Sequence, residues 1–105
     1  MISNETFEIK GTELEPLQEA IGKSAEIYKV GAKSPKGIRM FPAQYTDRGV
    51  LTVVDRGGGP SVFLQDFGRW FITSWVLKAE KTPEGIEIET ENSLYLIKYH
   101  EPVSN

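Results

Sequence analysis

The stretch that decides the fold is Thr73-Ser-Trp-Val-Leu-Lys-Ala-Glu-Lys-Thr-Pro-Glu-Gly-Ile-Glu-Ile-Glu-Thr-Glu-Asn-Ser-Leu-Tyr-Leu-Ile-Lys-Tyr99, which reads as three short strands joined by two turns. From Trp75 to Lys81 apolar and polar residues alternate with the period of a strand, which predicts Trp75, Leu77 and Ala79 on the core side. Thr82-Pro83-Glu84-Gly85 has proline second and glycine fourth, the arrangement of a tight turn. Ile86 and Ile88 then alternate with Glu87 and Glu89, and Glu91-Asn92 suits a two-residue hairpin loop because asparagine tolerates positive φ.

Upstream, Thr6–Lys10 alternates like a strand, and Thr12 with Glu15 three residues on spells a capping box. Leu14, Leu17 and Ile21 share one helical face, so a helix is expected from Glu13 to Ile21 or Lys23. Glu26–Val30 reads as a strand, residues 31–37 as a loop, and Ile38–Phe41 as an extended piece stopped by Pro42. Val50–Val54, nearly all apolar and β-branched, is expected at the sheet centre, buried on both faces. In Ser61–Ser74 the phenylalanines are spaced as on a helix, but Asp66-Phe67-Gly68 resembles a turn and Gly68 would weaken a helix, so two strands are expected. The whole predicts one α+β domain over residues 1–105, a small curved antiparallel sheet or partly open barrel with one N-terminal helix.

The pattern Thr73-Ser74-x-Val76 with Thr90-x-Asn92-Ser93-x-Tyr95-x-Ile97 resembles the C-terminal hairpin of small β-rich proteins encoded in bacterial and phage genomes. The resemblance covers about a quarter of the chain and implies architecture; it also implies an accessory protein of a mobile element, an inhibitor or adaptor acting on a host enzyme complex.

With no cysteine among 105 residues, a thiolate nucleophile, disulfide or sulfur metal site is excluded. The first residues lack the basic and apolar regions of a secretory leader, and no window has the apolar length of a membrane span, so a cytoplasmic location without membrane contact is expected. The net charge of −3 is uneven: residues 1–22 sum to −4, residues 23–56 to +4 and residues 57–105 to −3. This falls short of the basic stripe of a dedicated nucleic-acid binder.

The single histidine, His100, cannot by itself assemble a triad or a multi-histidine metal site, and no cofactor is expected. Without paired acid–base groups or an activated nucleophile, the chain reads as a non-enzyme. Asp55-Arg56-Gly57-Gly58-Gly59-Pro60 is an anion-loop candidate, since glycines let backbone amides approach a phosphate, but it lacks the spacing of either glycine-rich nucleotide motif. Glu87, Glu89 and Glu91 line one strand face, with Glu80 or Lys78 expected opposite. Arg39, Arg48, Arg56 and Arg69 lie near Phe41, Tyr45, Phe67 and Trp70 in sequence, a set that would hold a nucleotide or an acidic loop by paired hydrogen bonds and stacking if the sheet brings it together.

Two functions remain open. One is a protein-binding module, and the alternative is binding of a small anionic ligand such as a nucleotide through the basic middle segment and the triple-glycine loop. Arg39, Arg48, Arg56, Gly57, Gly58, Arg69 and Trp70 are the candidate residues for either, with Arg56 or Arg69 as those a nucleotide would need. Self-association through the edge of Leu94–Tyr99 completes the expectations, as a homo-oligomer.

Overall fold

The computed structural model describes residues 7–101. Its strands are β1 (Ser24–Ser34), β2 (Gly37–Asp55), β3 (Pro60–Asp66), β4 (Arg69–Ile72), β5 (Val76–Thr82), β6 (Gly85–Thr90) and β7 (Ser93–His100). They form a single antiparallel sheet in the order β4-β3-β2-β1-β7-β6-β5. Two meanders, β1 to β4 and β5 to β7, meet where β1 pairs with β7, from Ser24 opposite His100 to Ala32 opposite Ser93. The sheet does not close: β4 and β5 are its end strands. It curls, because Val62 and Leu64 near one end share a core with Val76 and Ala79 at the other.

The hairpins form where turn chemistry demands them. Ser34-Pro-Lys-Gly37 and Thr82-Pro-Glu-Gly85 are the same device: the first hydroxyl donates to the glycine carbonyl, at 3.2 and 3.1 Å, and accepts the amide of the third residue. Thr90 does likewise, donating to Ser93 O at 3.0 Å across Glu91-Asn92. Asp66-Phe67-Gly68-Arg69 is the expected turn between β3 and β4.

Several expectations are corrected. The fold is β-rich rather than α+β, and in place of the N-terminal helix Glu15–Ala20 is a 3-10 turn. The capping side chains do bind backbone amides, but one residue early: Thr12 Oγ1 accepts from Leu14 N at 3.1 Å and Glu15 from Gly11 N at 2.6 Å. Pro16 follows without an N–H, and the succeeding bonds run three residues back, Leu17 to Leu14 and Ile21 to Gln18. Leu14, Leu17 and Ala20, three apart, therefore fill the concave side of the sheet. Residues 31–37 are not a loop but the end of a hairpin, and β2 continues through Pro42. It does so because Phe41, Pro42 and Ala43 bulge opposite the single residue Val30, so the ladder needs no proline N–H there. The Thr6–Lys10 strand begins outside the described residues; Phe7 makes one strand-like bond, to Val53 O at 2.9 Å.

In β5 the alternation fails at a bulge between Val76 and Lys78, so Val76 and Ala79 are buried while Trp75 and Leu77 are exposed. Val50–Val54 lies in an internal strand, but β1 is the centre; Leu51 and Val53 face the core and Val50 is nearly half exposed. Strand β7 sits between β1 and β6, so Leu94–Ile97, expected as an edge, is paired on both sides.

The 3-10 turn is tied to the sheet by Glu19, whose carboxylate receives Lys81 Nζ at 2.9 Å. This hydrogen bond, aided by the Tyr99 hydroxyl and opposed by burial, holds the Glu19 carboxyl below its ordinary range. A lowered folded pKa contributes stability that is complete above the unfolded value, about 4.3 for glutamate, and is lost as pH falls through the folded one. Urea midpoints of the wild type and Glu19→Gln are expected to differ at pH 6 and to converge toward pH 3. Leu17→Ala is expected to cost about 2–5 kcal/mol by urea denaturation, and Leu77→Ala within about 0.5 kcal/mol of nothing.

Candidate interaction surface

Residues opposed in a ladder share a face, which sorts the side chains. Leu51, Leu64 and Phe71 are opposed on the core side, whereas Val50, Gln65 and Trp70 are opposed on the outer side. Across β1 the outer set continues through Glu26 with Arg48 and Tyr28 with Tyr45, and beyond the bulge through Gly31 with Met40 and Lys33 with Ile38. Side-chain contacts agree: Tyr28 and Tyr45 meet edge to face at 5.9 Å, and Lys98 Nζ lies 5.3 Å from the Tyr28 ring centre. Phe63 and Trp70 stack at 6.0 Å with planes 11° apart. Ile38, Met40, Tyr45, Val50 and Trp70, five of the eight large exposed hydrophobic residues among the described residues, thus lie on one face.

At the end of the β3–β4 hairpin stands Phe67, fully exposed and with φ of 42°. Gly68 follows at φ of 81°, so both central residues have the left-handed backbone of a type I′ turn. Phenylalanine there costs about 1–2 kcal/mol in backbone strain and buries nothing in return. Beside it Arg69 reaches Asp47 at 3.0 Å and Arg48 lies 3.7 Å from Asp66.

The predicted site residues fall in three places. Arg48, Arg69 and Trp70 come together around the β3–β4 turn. Arg39 stands on the projecting part of β2, opposite Ala32. Arg56, Gly57 and Gly58 occupy the β2–β3 connection at the far end of β2, where Arg56 Nη1 donates to Thr73 O at 2.9 Å. That connection is internally satisfied: Asp55 Oδ1 accepts the Gly58 amide at 2.8 Å and Gly59 O accepts the Arg56 amide at 2.8 Å. Trp75 donates its indole N–H to Arg56 O at 2.6 Å, and its ring lies where a Cβ on Gly59 would stand, 2.6–2.8 Å away. Of the loop amides, that of Gly58 thus serves the loop's own aspartate and that of Arg56 the loop's own carbonyl.

Both expected partners of the acidic stripe are found: Glu80 opposes Glu87 and Lys78 opposes Glu89, while Glu91 lies in the turn. Glu89 also takes Lys33 Nζ at 2.6 Å. Among the described residues no three acidic or histidine side chains are grouped as metal ligands. His100 Nε2 lies 3.4 Å from Glu26, which accepts the Tyr28 hydroxyl at 3.2 Å. Burial first, and the Glu26 charge second, push the Tyr28 hydroxyl up, so it remains a donor.

Val50, Met40 and Ile38 were not among the predicted site residues, and Phe67 was named only as an aromatic neighbour of the arginines. The one available sign was a bulky aromatic in a turn position that favours asparagine, aspartate or glycine. Comparison of the chain with family models, with curated proteins and with solved structures finds no match.

Phe67→Asn, which keeps the turn and relieves the strain, is expected to raise stability by about 1 kcal/mol, read as a higher urea midpoint at unchanged slope.

Proposed function

We propose that the protein is a non-enzymatic protein-binding module whose contact surface is the outer sheet face and the adjoining β3–β4 turn. The observation that carries this reading is Phe67, an unburied aromatic held at a strained φ next to the half-exposed Trp70. Strain retained with no folded-state return points to a use outside the fold. Trp and Arg at the middle of such a surface, with an exposed aromatic beside them, match the composition of binding hot spots.

Charge favours a protein over a nucleic acid. Around the turn Arg48 and Arg69 are balanced by Asp66 and Asp47, so few counterions would be released on meeting phosphates. The small anionic ligand has weaker support, because the Gly58 amide and the Arg56 side chain are directed at groups of the chain itself. An inhibitor or adaptor of a host enzyme complex, as the hairpin resemblance implies, needs a surface of this kind and no catalytic groups.

The test is affinity capture from a bacterial lysate with mass spectrometry of retained proteins and small molecules. A protein held in stoichiometric amount by the wild type and by Arg56→Ala, and lost with Phe67→Ser plus Trp70→Ala, is the expected result; each of the latter changes is expected to weaken binding by about tenfold or more. A retained nucleotide without a protein, released by Arg56→Ala, would overturn the reading.

A further inference from the structure

The strand that follows Phe67 has an open edge whose hydrogen-bond phase is fixed at both ends. Thr73 donates its amide to Val62 O at 3.0 Å, and Asp66 opposes Arg69 around the two-residue turn, so both are hydrogen-bonded pairs. Such pairs alternate along an antiparallel ladder, so Arg69 and Phe71 turn their backbone groups toward β3, whereas Trp70 and Ile72 turn theirs away. Among the described residues nothing pairs with the outward N–H and C=O groups of Trp70 and Ile72.

Other free edges of the sheet are interrupted. On β5, the opposite end strand, Ala79 N donates to Glu13 O at 3.3 Å and a bulge lies between Val76 and Lys78. On β2, residues 37–46 pair with β1 alone, but Phe41-Pro42-Ala43 bulge opposite Val30, Pro42 offers no N–H, and Thr46 is a second extra residue between Asp47 and Tyr45. Strand β4 has no bulge and no proline, and its one charge, Arg69, is held by Asp47 at 3.0 Å. Native sheets ordinarily blunt an end strand, and one left regular is a template for a further strand.

The strand that fits is β4 itself. When two copies lie antiparallel about a two-fold axis through Phe71, Trp70 of each opposes Ile72 of the other, and these are the residues whose backbone groups face outward. Every outward group is then paired, apolar side chains meet on both faces, and Arg69 stands level with Thr73 rather than with a like charge. Moving the register by one strand repeat either way sets Ile72 against Gly68 or Trp70 against Ser74, residues outside the strand. The same register covers Phe67. Phe67 lies four residues before Phe71 and Trp75 four after it, so the turn of each copy reaches the level of Ser74 and Trp75 of the other. Those two residues, with Arg56 and Glu91, line an open notch of about 290 Å³. The aromatic that the fold leaves bare and a notch beside a second exposed aromatic thus stand at matching offsets from one axis.

We infer that the chain pairs with a second copy of itself through the free edge of β4, in a two-fold antiparallel ladder centred on Phe71, with Phe67 of each copy at the Ser74–Trp75 notch of the other. The inference rests on the protein-binding reading only in taking Phe67 as a contact residue. The paired sheets leave the outer faces around Met40, Tyr45 and Val50 open to another protein. The ladder is short, so the dimer is a weak one that fills with concentration.

Sedimentation velocity of the full chain over a series rising to about 1 mM is the test. The expected result is a monomer–dimer equilibrium weakened about tenfold or more by Phe67→Asn, which keeps the turn, and by Ile72→Pro, which removes an outward N–H and spares the β3 ladder. Leu77→Glu, an exposed apolar residue elsewhere, is expected to leave it unchanged. Because the chain has no cysteine, a single introduced one reports the register. Phe71→Cys, opposed to its own copy, is expected to form a disulfide dimer on oxidation, and Trp70→Cys, displaced diagonally to about 7–8 Å from its copy, is not. A monomer at every concentration would overturn the dimer while leaving capture of another protein by the outer face intact. A dimer indifferent to both Phe67→Asn and Ile72→Pro, or cross-linked through Trp70→Cys and not Phe71→Cys, would also overturn it. So would a dimer that Val50→Glu dissociates and Ile72→Pro does not, by placing the second copy on the outer face.

Discussion

The ladder between β1 and β7 is the joint on which everything else rests. Each meander is local, built from hairpins whose strands are neighbours in sequence, and neither encloses a core alone. Pairing Ile27 with Ile97 and Ala25 with Tyr99 places Leu51 and Leu64 of one half within reach of Ile86 and Ile88 of the other. The ladder joins residues some seventy positions apart, so its closure entropy must be overcome before the shared core rewards it. The segment 9–20 then fills the concavity, and Glu19, Lys81 and Tyr99 fasten it to strands from the C-terminal half. A loss at this joint therefore removes the core and the outer face together, since Tyr28 and Lys98 stand on the same two strands.

The local elements were legible where turn chemistry spoke. The β5–β6–β7 meander and the two strands of Ser61–Ser74 are present because Pro and Gly set backbone angles within four residues, without reference to the rest of the chain; at Glu91-Asn92 the turn forms without the positive φ expected of Asn92, held instead by the Thr90 hydroxyl. Ser34-Pro35-Lys36-Gly37 carries the same signal as Thr82-Pro83-Glu84-Gly85, hydroxyl clamp included, and reading it as a loop overlooked an available rule. The N-terminal helix was misjudged for a different reason. Its apolar residues fit a period of three nearly as well as one of 3.6, and Pro16 with Gly22 leaves too few bonds to favour the longer form.

The functional surface was less legible because bulges decide which way side chains point. One extra residue in β5 exchanges Leu77 for Val76 in the core, and three residues opposite Val30 turn Ile38 and Met40 onto the outer face; period-two reading has no sign for either. Arg48, Arg69 and Trp70 lie beside the β3–β4 hairpin, whereas Arg39 and Arg56 are separated by the length of one strand, a separation that spacing along the sequence does not signal.

The features that expose the outer face also restrain it. A long edge with apolar side chains on it invites aggregation, and the bulges and Pro42 that deny a continuous ladder are the devices that prevent it. They interrupt the backbone ladder while keeping Ile38 and Met40 on the outer face, so β2 keeps an adhesive face while losing an adhesive edge. The paired charges around the β3–β4 turn work in the same direction: Arg69 with Asp47 and Arg48 with Asp66 hold the turn in register without giving it a net charge. Phe67 is thereby presented on an electrically neutral support, where the ordering entropy of its backbone, though not of its exposed ring, has been met by folding and not by binding.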